Sequence, residues 1–222
     1  MHRAYLTLTA HWISSSWVLH ARTISFREIP QQNGMEIKHF IKEQLSAVFS
    51  PTVLLSAITT DGGSAFRCAG RDLVADDASH CAAHLLQLAI EDALKACPDV
   101  KEAVAVVHSL HVAMRNNKVL RAELVAAGGC PSLPLDCPTR WSSTYDMCSA
   151  FIAECARLQC MEDLMRQEKV PETFLPSKDL EYKIRQFVDV LLPCKELTTD
   201  LQGDKYVSMA VFLQHYTMQY RR

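Results

Sequence analysis

An alternation of large apolar and small polar residues runs up to Ile29 and does not return, and that switch of period constrains the fold more than any single motif. Tyr5 to Ile13, YLTLTAHWI, has the period of two that sends successive side chains to opposite faces of a strand. Ser14–Ser16 supply a polar turn. Trp17 to Ile29, WVLHARTISFREI, then alternates again with one irregularity of register. Two such runs across a short turn predict a β-hairpin. Gln31, Gln32, Asn33 and Gly34 break the pattern. From Met35 the period becomes helical, with Ile37, Phe40, Ile41, Leu45 and Val48 on one stripe, and the helix is expected to stop before Pro51. Thr52 to Thr60 is a continuous apolar and β-branched run, which predicts a strand buried on both faces. Asp61 stands at its carboxyl end, followed by Gly62 and Gly63. Strand, strand, helix, strand is the order of a mixed α/β layer, not of a helical bundle.

After Cys81 the chain reads as helices. HLLQLAIEDALKA, VKEAVAVVHSLHVAMRNN and KVLRAELVAAGG all have helical spacing, and Gly128–Gly129 ends the last of them. Cys130 to Thr139, CPSLPLDCPT, is a proline-rich connector, which places a domain boundary between 1–129 and 130–222. STYDMCSAFIAECARLQCMEDLMRQ and LEYKIRQFVDVLLPCKELTTDLQ beyond Arg140 are helical again.

The 222 residues are 49 % hydrophobic and 22 % charged, the balance of a globular chain and not of a disordered tail. A net charge of −2 argues against a non-specific coat for nucleic acid, although a local groove needs only a local patch. The start has histidine, arginine and serines where a secretory signal needs a continuous apolar core, and no stretch is long enough to span a membrane. Nine cysteines, with no C-x-x-C pair, read as mostly buried free thiols in a reduced, intracellular protein.

Four motifs carry candidate chemistry. Asp61 is a hard oxygen ligand at the carboxyl end of a strand, where open α/β sheets gather ligand chemistry, and would suit Mg²⁺ or Mn²⁺. The plainer alternative is an Asx turn before Gly62 or a cap on a helix beginning near Ser64. In HCAAH, Cys81 and His84 are three apart and share a helix face; they could ligate one ion with His80 as a third donor, or simply begin a buried helix. In PTRWSSTYDM, Arg140 offers a fork for phosphate beside the flat ring of Trp141, or the tryptophan is core packing. His108 and His111 lie three apart among Val106, Val107, Leu110 and Val112, which predicts a surface or half-buried pair and not a site.

In order, YLTLTAHWIS, ITTDGGSAF, HCAAHLLQLAIEDAL, CPTRWSSTYDM and LLPCKELTTDLQGDKYVSMAVF resemble the middle of a hAT-family DNA transposase, in the animal branch related to zinc-finger BED proteins. The resemblance covers Tyr5 to Tyr216. It implies a partial RNase H-like mixed sheet, first strand missing, followed by an all-helical insertion region. In that family three acids hold two divalent ions, ~3.5–4 Å apart, for in-line attack on a DNA phosphate. Asp61 matches the second acid, Cys81 and His84 a motif flanking the active site, and Trp141 an aromatic near the DNA end.

The resemblance also implies that the first acid precedes Met1, and that the third acid and the dimerisation region follow Arg222. A remnant of this kind is expected to bind no Mg²⁺ or Mn²⁺ and cut no strand. It would reside in the nucleus and retain modest DNA affinity through Arg140 and Trp141, with Arg115, Lys118 and Arg121 nearby, and would have protein partners. An unpaired edge on each side of the missing strand would leave the isolated chain marginal, or bring the hairpin directly against Val53–Thr60. Two alternatives stand beside this reading. One is an active transposase whose transcript supplies the missing acids; the other is a protein-interaction module with no nucleic-acid role.

Overall fold

A computed structural model describes residues 4–29, 33–50, 54–74, 78–137 and 140–201. The expected break at Gln31–Gln32, the start of the strand at Thr52 and Val53, Pro138–Thr139 and the segment from Gln202 lie outside the described residues. The chain is mixed α/β and divides into two compact units, one over the residues up to Leu85 together with those from Thr199, and one over Leu86–Thr198. The division falls upstream of the 129/130 boundary expected from the connector, because the helices before Cys130 share a core with those after it.

In the first unit, β1 (Ala4–Ile13) and β2 (Leu19–Ile29) form the expected antiparallel hairpin, with a register shift between Leu8 and Thr9. Its turn closes through Ser14 N–H to Val18 O at 2.9 Å and Trp17 N–H to Ser14 O at 2.9 Å. Trp17 takes φ 61°, the left-handed position at which such loops favour glycine. α1 (Gly34–Val48) is capped by Asn33, whose side chain accepts the Glu36 N–H at 2.9 Å. Its Ile37, Phe40 and Ile41 are buried with Leu6 and Ile29 of the hairpin.

β3 (Ile58–Thr60) and β4 (Ala78–His80) pair in parallel across the crossover helix α2 (Ser64–Val74). Gly70 makes that packing feasible: a Cβ there would lie 3.2 Å from Ile58 Cγ2 and 3.3 Å from Ala78 Cβ. The doubly buried strand expected over Thr52–Thr60 is therefore corrected to three residues. Leu54, upstream of β3, is 86 % exposed, and within β3 itself Thr59 is exposed. The hairpin does not pair with β3 either. The described strands form two separate two-stranded sheets, and Ile58 reaches the hairpin's core through the helices.

The second unit carries most of α3 (Ala82–Ala96), then α4 (Pro98–Asn116), α5 (Lys118–Ala126), α6 (Trp141–Cys160), α7 (Glu162–Gln167) and most of α8 (Lys178–Leu201). Phe151, Val107, Leu110, Leu158 and Ile184 are fully buried in one core. Gly128, at φ 76°, ends α5 as its sequence predicts, and the Gly129 N–H returns to Leu124 O at 2.8 Å. Glu154 on α6 holds this corner by accepting the Cys130 N–H at 3.0 Å and Arg157 Nη1 at 2.9 Å. The thiols are not mostly buried: only Cys148 and Cys155 are, while Cys68, Cys97, Cys137 and Cys160 are exposed. Burial pushes the Cys148 thiol up to about 12, with Asp136 adding to it; burial likewise pushes Cys155 up to about 12, with Glu181 adding to it.

Candidate functional site

Asp61 follows the last residue of β3 and is exposed. Its Oδ1 accepts the Gly63 N–H at 3.2 Å, an Asx turn that aims the chain into α2. Gly62 sits in that turn at φ 86°, and a Cβ on it would come within 3.0 Å of His80 Nδ1. The turn thus brings His80, at the end of β4, against the glycine beside Asp61. Cys81 continues the ladder, donating its N–H to Thr60 O at 2.7 Å, and its own carbonyl takes the Leu85 N–H to open α3. His84 is exposed one turn along. Among the described residues no three His, Cys, Asp or Glu side chains gather as a metal-binding group.

A cavity of about 280 Å³ lies at this same end of the parallel pair. Thr60, Phe66, Ser79 and His80 line it with Arg67 and Arg71, one helical turn apart on α2. The motif reading passed over both arginines; their only signal was the i, i+4 spacing just beyond the DGG turn.

In the second unit, Arg140 is exposed at the N-cap of α6, and Trp141 is only 4 % exposed. The Trp141 ring packs with Ile90 and meets Tyr145 edge-on, centroids 6.3 Å apart at 76°. Its backbone N–H donates to Gln87 Oε1 at 3.1 Å. Ser143 Oγ accepts the Cys137 N–H at 2.7 Å and lies 2.7 Å from Arg140 O as donor. The R-W-x-S-x-Y spacing therefore builds a helix start: the tryptophan and tyrosine anchor it, the serine ties it, and the arginine is left facing water. Arg115, Lys118 and Arg121 are exposed around the α4–α5 junction.

His108 is half-buried as expected, while His111 departs from the expected surface or half-buried state. His111 is fully buried, its Nδ1 2.8 Å from Pro134 O, while Nε2 has no partner among the described residues. His108 Nδ1 lies 2.5 Å from Asp136 Oδ1. The connector folds over α4 and supplies both partners. Burial holds His111 below the usual histidine range, opposed by the Pro134 carbonyl and aided by His108.

Comparison with known proteins now bears on this arrangement. Residues 1–69 match the ZBED1 RNase-like domain, and residues 79–181 match the ZBED1 RNase-like helical domain. The chain is an hAT-family transposase-like protein. It is similar to "Putative AC transposase" of Zea mays, 25 % identical over 173 residues, covering 66 % of this chain and 20 % of the relative. "Putative AC9 transposase" of Zea mays gives the same identity over the same length, with 19 % of the relative covered. The transposase-like chain thus spans about one fifth of the length of these curated relatives. The junction between its two matched domains falls in residues 70–78, which include the end of α2. No helix among the described residues is long and apolar enough to cross a membrane.

Proposed function

We propose that this transposase-like chain is a partial RNase H-like core joined to a helical insertion region, which binds DNA and does not cut it. Asp61 is the remnant of a catalytic, metal-holding acid. The observation that carries the reading is its setting. Asp61 follows the last residue of β3, where an RNase H-like sheet would present an acid, yet among the described residues no three His, Cys, Asp or Glu side chains gather there as a metal-binding group. One of its oxygens takes a backbone N–H, and the neighbouring cavity is lined by Arg67, Arg71 and His80. A pair of divalent ions needs several hard anionic ligands to offset its charge. Asp61 beside Arg67, Arg71 and His80 is not a donor set that fits Mg²⁺ or Mn²⁺.

DNA contact falls to Arg140, whose guanidinium can fork onto a phosphate, with Trp141 fixing the helix start that presents it. Cys81 and His84 would flank the DNA path beside Asp61, as the family motif implies. The nucleus is the compartment this function requires, and protein partners would supply whatever activity the whole assembly has. Fluorescence anisotropy with a labelled duplex tests the reading. Binding should weaken steeply with added salt, and Arg140→Ala should lower affinity and flatten the salt slope by about one. Salt-insensitive binding, or none, would favour a protein-interaction module.

A further inference from the structure

The geometry points to a phosphate-binding pocket at the carboxyl ends of β3 and β4, formed by Arg67, Arg71 and His80 beside the Asp61 turn. The cavity there, about 280 Å³, lies just under the ~300–1,000 Å³ of pockets that enclose whole small molecules. It suits one charged group with its attachments and not a complete nucleotide cofactor.

Its lining sets the sign of the ligand. Arg67 and Arg71 stand on one face of α2, and Arg71 Nε leans back to Arg67 O at 3.5 Å. Neither arginine has an ion-pair partner among the described residues; Asp72, the nearest acid in sequence, is held by Lys38 at 2.8 Å. Asp76 and Asp77 lie outside the described residues. Arg67 and Arg71 are exposed and His80 is half-buried, so the two guanidinium groups meet solvent. Among the described residues no carboxylate lines the cavity. The Thr60 and Ser79 residues complete its wall; the Ser79 hydroxyl is held 2.9 Å from Thr59 Oγ1. Two guanidinium groups beside an imidazole make a fork for tetrahedral oxyanions, and planar arginine donors favour phosphate over a spherical anion.

The phosphate can belong to a free ion or to a nucleic-acid backbone, and the chemistry is shared. The site does not depend on the DNA-binding reading or on Arg140, so the two can fail separately. The test is an NMR titration of the ¹⁵N-labelled chain with inorganic phosphate, read at the Arg67 and Arg71 Nε–H signals and the His80 ring, against chloride at equal ionic strength.

Saturable shifts at these groups are expected with phosphate and not with chloride. Arg67→Gln/Arg71→Gln should weaken phosphate binding at least about tenfold, and Arg140→Gln should leave it unchanged. Both arginines are exposed, so backbone amides outside α2 should keep their positions in the double variant. A short unphosphorylated DNA strand that moves the same signals and competes with phosphate assigns the site to the backbone. Shifts with phosphate alone assign it to the free ion. No saturable shift with either, a response that chloride reproduces, or an unchanged response in the double variant would overturn the pocket.

Discussion

The two units of this chain rest on cores of very different size. Among the described residues, the helical unit buries a continuous cluster of nineteen, while the unit carrying Asp61 buries six around Ile37 and Phe40. Burial contributes about 1.5–3 kcal/mol for each large side chain taken out of water, against a comparable entropy cost for every residue ordered. The difference teaches where order comes from in each. Stacked helices supply their own opposing faces in the second unit. In the first, two short sheets depend on one pair of helices, and apolar residues such as Leu54, Phe26 and Trp17 remain in water. The unit with the chemically suggestive turn is the one with least packing to hold it.

The largest expected effects would break this comparison if they failed. Phe40→Ala removes a central member of the small cluster, and amide protection across β1, β2 and α1 should be lost while α4 and α6 keep theirs. Phe151→Ala should cost the helical unit about 3–5 kcal/mol yet leave it folded, read from denaturant melts of its signals. Equal and concerted losses from the two substitutions would show that the cores do not differ as described.

Acid sharpens the contrast. His111 is buried with its folded pKa below its unfolded value near ~6.5, so under that pH the unfolded chain binds a proton that the folded chain refuses. Stability is therefore present above about 6.5 and is lost as pH falls below it, by at most about 1.4 kcal/mol per pH unit. The Pro134 carbonyl contacts this group and His108, itself paired with Asp136, acts on it, and His111→Asn should flatten the slope of stability between about pH 7 and about pH 5.5 in the helical unit. A parallel slope in the variant would assign the acid sensitivity elsewhere. The smallest effect is in the hairpin turn. Trp17, 87 % exposed at φ 61°, gains little from packing, and Trp17→Gly should stabilise the first unit by about 1 kcal/mol. A loss of hairpin protection instead would give the ring a packing role.

The sequence was legible where one period ran long enough to fix a face. The alternation to either side of Ser14–Ser16 gave the hairpin and even its register shift, and the stripe from Ile37 gave α1. β4 was not legible, because Ala78–His80 is too short for any period and pairs only through a parallel crossover. The run ending at Thr60 looked doubly buried because its composition records a strand's preference for covered faces, and composition cannot say which layers stand there. The Asp61 turn was readable from D-G-G, as one of two alternatives. The Trp141 environment, the His111–Pro134 contact and the Arg67–Arg71 cavity were not, since each joins elements distant in sequence.

The central claim is that this transposase-like chain binds DNA without cutting it. Supercoiled plasmid incubated with the purified chain and Mg²⁺ or Mn²⁺ is the direct measurement. The account predicts no relaxed or linear product above the level of the Asp61→Ala variant, under conditions where anisotropy reports salt-sensitive binding. Metal-dependent nicking that Asp61→Ala abolishes would contradict it.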